Sequence, residues 1–320
     1  MIIKNMLKNN IILMCGLPAS GKSTLVYEYE KLGYTIVSCD LKTMSNATDI
    51  IPLRGHNKIV IDNTNTVAAT RKVFIDYAKM HNLSIGIHHM KTSKDDCLIN
   101  SLHRMYKRHG KIFLTASDVP KNLPSNFASN NFVISAIFAM DKKFDNISKI
   151  EGFDDIEITK FERKENWGYI NKAVFVDLDG TVRESVGIEP YPVEKKDIVI
   201  LKNSSDVLKK YKNSGYKIIA VTNQSGVTKK TLTEQKVVEL IEETNKQLDG
   251  VIDDYHYCPH LPPSTICYCR KPQSGMGVLM MHKHQLDIKN CIMVGDATSD
   301  KTFGVRLGMK YYHPDEFFNR

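Results

Sequence analysis

Two short apolar runs, Ile11–Met14 and Ala173–Val176, each lead straight into a loop crowded with Gly, Asp, Lys or hydroxyl residues. A buried strand feeding such a loop points to a parallel α/β sheet, in which ligands gather beyond the carboxyl ends of the strands. The pattern after each run agrees. Thr35–Ser38, Lys58–Ile61, Lys217–Val221 and Cys291–Val294 read as further strands, and Ser23–Leu32, Ala68–His81, Ser205–Ser214 and Leu232–Leu248 have helical spacing. Because the pattern starts afresh at Ala173, the expected fold is α/β with two domains, their parallel sheets covered on both faces. The 320 residues suffice for two cores of ordinary size. The polar stretch Phe161–Trp167 marks the expected boundary, giving domains 1–163 and 168–320, with residues 115–130 a loop inside the first.

Charge and apolar length narrow the function classes. The longest apolar run, Ile11 to Cys15, is far short of the roughly 20 residues a membrane span needs. It leads into a Gly-rich motif rather than a cleavage site, so no signal peptide is expected either. An intracellular protein follows, in cytoplasm or nucleus, or in a host cell if the chain is virus-encoded. Residues 1–163 hold 22 Lys and Arg against 16 Asp and Glu, whereas the remainder holds 22 against 20. The basic first half suits an anionic partner, ATP or nucleic acid, although a solvated Lys-rich surface would read the same way.

Gly16-Leu-Pro-Ala-Ser-Gly21-Lys22-Ser23 matches G-x-x-x-x-G-K-[ST], between a strand and a helix. Its glycines let backbone N–H groups face phosphates, and the helix N-terminus adds partial positive charge. Gly16, Gly21, Lys22, Ser23 and Thr24 are therefore expected to bind ATP, with the Ser23 hydroxyl on Mg²⁺. Asp40 and Asp62 close the next two strands, where a carboxylate can take a proton from an attacking hydroxyl or orient the metal. Either alone would more often be a cap or turn residue.

This P-loop, Asp40, the run Asp62-Asn-Thr-Asn65 and Arg71 resemble the kinase domain of polynucleotide 5′-kinases. The resemblance implies Asp40 as general base for a 5′-hydroxyl, with Asp62, Asn65 and Arg71 binding the acceptor. Arg104 and Arg108 resemble the paired lid arginines of the phage enzymes, and their spacing sets both on one helix face. The phage enzymes carry Arg three residues after the base, where this chain has Thr43.

In the second half, Ala173-Val-Phe-Val-Asp177-Leu-Asp179-Gly-Thr181 resembles the haloacid dehalogenase superfamily signature. Two carboxylates at that spacing can divide the work, Asp177 attacking phosphorus and Asp179 acting as acid and then base. The resemblance extends to Thr222 and Lys271 as phosphate ligands, and to Mg²⁺ held by Asp177, the Asp179 backbone carbonyl and Asp296, with Asp300 supporting it. Thr181 and Asn223 are expected to touch substrate. Little separates Thr181 from the strand leading to Thr222, so a large cap is excluded. Cys258-Pro-His260, then Cys267-Tyr-Cys269, is a structural Zn²⁺ pattern, with His256 a weaker substitute. It resembles the insert of histidinol-phosphatase and heptose-bisphosphatase type members.

Over nearly its whole length the chain resembles the bifunctional polynucleotide kinase–phosphatases, in the kinase-first order of the phage enzymes. Asp62–Asn65, Glu151-Gly-Phe153 and the closing residues Leu307–Phe318 look more like the animal type. The resemblance implies an end-healing enzyme, phosphorylating 5′-hydroxyl ends and removing 3′-phosphates from DNA or RNA, with a separate ligase to seal. The alternative is a small-molecule kinase fused to a sugar- or histidinol-phosphate phosphatase, favoured by the zinc insert. A zinc-stabilised nucleic-acid-binding module without activity is a third. The sequence assigns no oligomeric state.

Overall fold

A computed structural model describes residues 6–38, 58–120, 133–163, 167–263 and 266–320. The chain divides into two compact units, residues 1–101 with 122–164, and residues 102–121 with 165–320. Residues 102–121 thus belong with the second unit, where the sequence pattern had left them in the first. Within that unit Tyr268 donates to the Leu114 carbonyl at 2.7 Å, and Thr115 bridges Cys267.

The first unit alternates β1 (Ile11–Cys15), α1 (Lys22–Lys31), β2 (Thr35–Ser38), β3 (Ile59–Asp62), α2 (Ala68–Met80) and β4 (Ile85–Lys91). Next come α3 (Lys94–His109), which continues into the second unit, then α4 (Ile134–Lys142) and β5 (Asp155–Lys160). The five strands are parallel in the order β2-β3-β1-β4-β5. After β1 the chain fills one side of that strand with β2 and β3, then crosses to the other with β4. A crevice therefore opens at the carboxyl end of β1, the switch point where open α/β sheets bind ligands. All five residues of β1 are buried, the fully apolar character of a strand covered on both faces. Ile11, Leu13 and Cys15 pack with Phe74 and Ile75 of α2, while Ile12 and Met14 pack with Val26 and Tyr29 of α1.

The second unit repeats the scheme. It contains β6 (Lys172–Val176), the antiparallel pair β7 (Arg183–Ser185) and β8 (Ile198–Ile200), α5 (Ser204–Asn213), β9 (Tyr216–Asn223), α6 (Glu234–Gln247) and β10 (Asp254–Cys258). It closes with α7 (Gly275–His284), β11 (Ile292–Val294), α8 (Thr298–Leu307), β12 (Lys310–Tyr312) and α9 (Pro314–Phe318). The order β10-β9-β6-β11-β12 is again parallel, with the switch point at β6. Between Thr181 and α5 the described regular strands are only β7 and β8, so the site at the end of β6 has no large cap. Among the described residues no helix is long and apolar enough to cross a membrane.

Candidate active sites and metal centre

At the carboxyl end of β1 the backbone turns through Gly16 (φ 148°), where a Cβ would stand 2.8 Å from both the Met90 carbonyl and Ser20 Oγ. Only glycine fits. The loop is held from both neighbouring strands. Gly16 N–H donates to the Thr64 carbonyl at 2.9 Å, and Thr92 Oγ1 donates to the Ser20 carbonyl at 2.7 Å. Lys22 is buried, and its ammonium folds into the loop, donating to the Gly16 and Leu17 carbonyls at 2.9 and 2.8 Å. Ser23 and Thr24 are exposed in the first turn of α1. A Gly-rich loop, an ammonium and a helix N-terminus together form a cradle suited to phosphate. Asp62 ends β3, half-buried. Asp40 and Thr43 lie outside the described residues.

Two residues expected to touch the acceptor are committed to the fold. Arg71 is fully buried, grips Glu151 through Nε and Nη2 at 2.7 and 3.1 Å, and donates Nη1 to the Asn65 and Thr66 carbonyls. Asn65, buried at φ 45°, donates to the Met14 carbonyl at 2.8 Å and so ties the end of β3 to the entrance of the loop. Arg104 and Arg108 sit in the last turns of α3, in the second unit, whereas Lys22 belongs to the first.

At the end of β6 the charges are denser. Register pairs Val176 with Val294 and Ala220, so Asp177 emerges between two neighbouring strand ends and donates its N–H to the Val294 carbonyl. Lys271, buried, places Nζ 2.7 Å from Asp177 Oδ1, 2.7 Å from Asp300 Oδ1 and 2.7 Å from the Val221 carbonyl. Burial pushes the Asp177 carboxyl up to about 7; Lys271 opposes this, while Asp300 and Asp179 reinforce it. Burial works against the charge on Lys271, but Asp177 and Asp300 outweigh it and raise its pKa. One ammonium between two buried carboxylates leaves net negative charge, which invites a cation. Oxygens of Asp177, Asp296 and Asp300 lie within 4.8 Å of one another. Gly180 (φ 78°) makes room, since a Cβ there would stand 2.4 Å from Asp296 Oδ2. These oxygens suit Mg²⁺, a hard cation that takes carboxylate ligands.

The Asp179 side chain lies outside that cluster of carboxylates. Arg183 Nε holds its Oδ1 at 2.8 Å and Gln224 Nε2 holds its Oδ2 at 2.8 Å. Arg183 is buried and braced on the Leu240 carbonyl and Thr244 Oγ1, and Gln224 also donates to Thr222 Oγ1 at 3.0 Å. Neither residue was singled out from sequence, although Gln224 lies two residues beyond Thr222 and Arg183 four beyond Asp179. Thr181 and Asn223, expected to touch substrate, are bonded within the site. Thr181 is fully buried with Oγ1 on Asp296 Oδ1, and the Asn223 side chain exchanges two hydrogen bonds with the Lys271 backbone. Both are hydrogen-bonded to functional residues of the site.

Cys258, His260, Cys267 and Cys269 converge, with Cys258 Sγ 3.3 Å from His260 Nδ1, 3.9 Å from Cys267 Sγ and 3.1 Å from Cys269 Sγ. A tetrahedral Zn²⁺ with Zn–S near 2.3 Å sets its ligands about 3.8 Å apart, so the cluster has nearly that spacing. His256 turns Nδ1 to the Tyr257 carbonyl instead. Lys271 lies two residues beyond Cys269, so the cluster anchors the segment that delivers the ammonium.

Residues 172–318 match the family described as polynucleotide kinase 3 phosphatase. The chain is 34% identical over 144 residues to the "Probable D-glycero-D-manno-heptose-1,7-bisphosphate 7-phosphatase" of Thermoplasma volcanium, covering 44% of this chain and 96% of that protein. A D-glycero-beta-D-manno-heptose-1,7-bisphosphate 7-phosphatase of Helicobacter pylori is 33% identical over 144 residues, covering 44% and 81%. A chain of the solved Pnkp1/Rnl/Hen1 RNA repair complex aligns over 95% of this chain and 94% of its own, at 16% identity and a TM-score of 0.31, a likeness from which no function is drawn.

Proposed function

We propose that this chain, whose residues 172–318 belong to the polynucleotide kinase 3 phosphatase family of haloacid dehalogenase-type phosphatases, heals nucleic-acid ends. In this reading the second unit removes 3′-phosphates and the first phosphorylates 5′-hydroxyls with ATP. The observation that carries the proposal is the presence, in one chain, of the phosphate cradle around Lys22 and the Asp177–Lys271–Asp300 triad. One is built to hold a nucleotide phosphate, the other to break a phosphate ester.

In the phosphatase step an Asp177 oxygen forms a bond to phosphorus as the ester oxygen leaves and takes a proton from Asp179. Asp179, steered by Arg183 and Gln224, then removes a proton from the water that opens the aspartyl phosphate and releases inorganic phosphate. Lys271 offsets charge on the phosphoryl oxygens. A magnesium ion held by Asp177, Asp296 and Asp300 would add to that neutralisation, and zinc in the Cys₃His cluster would stiffen the Lys271 segment. In the kinase step Lys22 and the loop amides hold the transferred phosphate, with Asp40 as base. A separate ligase would seal the healed ends.

A second reading, a sugar-bisphosphate phosphatase joined to a small-molecule kinase, draws on the heptose-bisphosphate phosphatases among the relatives. Lys22→Ala and Asp177→Asn, assayed on oligonucleotide ends, decide between them. Lys22→Ala is expected to abolish 5′-phosphorylation and spare 3′-dephosphorylation, and Asp177→Asn to do the reverse. Wild-type protein inert on both ends but active on a heptose 1,7-bisphosphate would establish the second reading.

A further inference from the structure

The three carboxylates gathered at the end of β6 are held in two different ways. Asp177 and Asp300 are buried and share the Lys271 ammonium. Asp296 is exposed, and among the described residues the hydrogen bond that its carboxylate accepts comes from Thr181 Oγ1, at 3.4 Å. An exposed carboxylate on one long bond is oriented only as firmly as the group that donates to it. What fixes Thr181 therefore fixes Asp296.

Thr181 is fully buried, and its N–H donates to the Leu178 carbonyl at 3.2 Å. Its carbonyl accepts from Nη2 of Arg320, a residue 139 positions further along the chain, at 2.8 Å. The same Nη2 donates to Ser204 Oγ at 2.6 Å, and Nε donates to the Lys202 carbonyl at 2.9 Å. Arg320 arrives there already oriented. Its N–H donates to the Asp315 carbonyl at 3.0 Å, and Asn203 Nδ2 holds the Phe318 and Asn319 carbonyls at 3.0 and 3.2 Å. The guanidinium lies 4.6 Å from the ring centre of Phe318, which is buried in the core of the second unit. A planar fork pinned in this way loses little further freedom on gripping a carbonyl. The turn it steadies has no slack at Gly180. A Cβ there would stand 2.4 Å from Asp296 Oδ2, so a shift of the Gly180–Thr181 backbone is felt at that carboxylate.

We propose that Arg320 is a positioning residue of the phosphatase site: by holding the Thr181 carbonyl it steadies the turn whose hydroxyl aims Asp296 at the magnesium position. The inference rests on the phosphatase reading above. It deepens that reading by adding a residue that touches neither the reacting groups nor a candidate metal ligand. Without the guanidinium the Thr181 carbonyl loses a charged donor, the turn loosens, and the Asp296 carboxylate turns to water. The two buried carboxylates stay in place on Lys271, so the loss is of metal affinity rather than of the site.

The test titrates magnesium chloride into the whole chain by isothermal calorimetry, without substrate and at a temperature where every variant is folded. Asp296→Asn marks the site in the titration. Thr181→Val is expected to weaken magnesium binding about tenfold, and Arg320→Ala, one bond further out, about fivefold. Arg320→Lys, which keeps the charge over Phe318 but offers one nitrogen to three acceptors, lies between Arg320→Ala and the wild type. The double variant should bind no more weakly than Thr181→Val, since the path through the hydroxyl is already cut. Hydrolysis of p-nitrophenyl phosphate by Arg320→Ala should fall about fivefold at limiting magnesium and recover to within about twofold at saturation. Unchanged magnesium affinity in Arg320→Ala, or losses that multiply in the double variant, would overturn the inference. Wild-type binding that survives Asp296→Asn undiminished would do the same. If the wild type binds magnesium at Asp296 yet hydrolyses no phosphomonoester, the phosphatase reading falls and the titration still decides the role of Arg320. If the wild type hydrolyses phosphomonoesters and Arg320→Ala binds magnesium as tightly, the reading stands and the inference falls.

Discussion

Replacing Lys271 by Met keeps the length of the side chain and deletes the charge that Asp177 and Asp300 share. Nζ makes three contacts of 2.7 Å, two to those carboxylates and one to the Val221 carbonyl, all in buried surroundings. Removing one member of a buried ionic group costs about 3–5 kcal/mol, chiefly because the remaining charge is left without compensation. For a unit of this size that lowers the melting temperature by about 10 °C in magnesium-free buffer. The loss is pH-dependent. The Asp177 carboxyl already sits up near 7, so it binds its proton more readily folded than unfolded, and stability falls as pH rises from the ordinary carboxylate range through 7. Without Lys271 the pKa climbs further, so the deficit against wild type is larger at pH 8 than at pH 6. Adding Asp300→Asn removes one uncompensated charge, and the double variant should lose less than the two single losses combined. Differential scanning calorimetry at three pH values reads all of this. A Lys271→Met protein melting within 2 °C of wild type at pH 8 without magnesium would refute the charge-locked triad.

Removing zinc with a high-affinity chelator is expected to speed hydrogen exchange in the peptides around 254–273 and leave those of β1 and β3 unchanged. Equal exchange in both states would contradict a structural metal. Arg71→Met should destabilise the first unit by about 3 kcal/mol by stranding Glu151, and Glu151→Gln by less, since a neutral amide still accepts from the guanidinium; urea unfolding followed in the first unit tests the order. His88 is buried with Tyr29 OH at Nδ1 and Thr159 Oγ1 at Nε2, each 2.8 Å away, and burial holds its pKa down to about 4. Its folded pKa lies below the unfolded value near 6.5. Its contribution is therefore complete above pH 6.5 and is lost as pH falls toward 4, about 2 kcal/mol by pH 5. His88→Gln should flatten that limb of the stability profile, and an unchanged limb would remove His88 as its source.

The features legible in the residue string were those whose chemistry demands a local pattern. A phosphate cradle requires glycines at fixed offsets from Lys22, a nucleophile–acid pair requires Asp177 and Asp179 just past a buried strand, and a closed metal tetrahedron requires Cys and His in tight spacing. The structure brings Cys258, His260, Cys267 and Cys269 together as that spacing implied. Long-range partners were not legible. Glu151 is 80 residues from Arg71, and Thr244 is 61 from Arg183. No periodicity announces that such pairs will meet.

By itself, the sequence determined two parallel α/β units and the placing of one loaded loop at each leading strand, because strand burial and loop chemistry are written locally. Only the tertiary structure decided which polar residues remain available for chemistry. Arg71, Asn65, Thr181 and Asn223 all read as substrate contacts, yet each has its hydrogen-bonding groups turned inward to a carbonyl, a carboxylate or a backbone amide. Arg183 and Gln224, silent in the sequence, became the groups that aim Asp179. The physical reason is the cost of leaving a buried donor or acceptor without a partner, which the fold settles by pairing residues far apart in the chain.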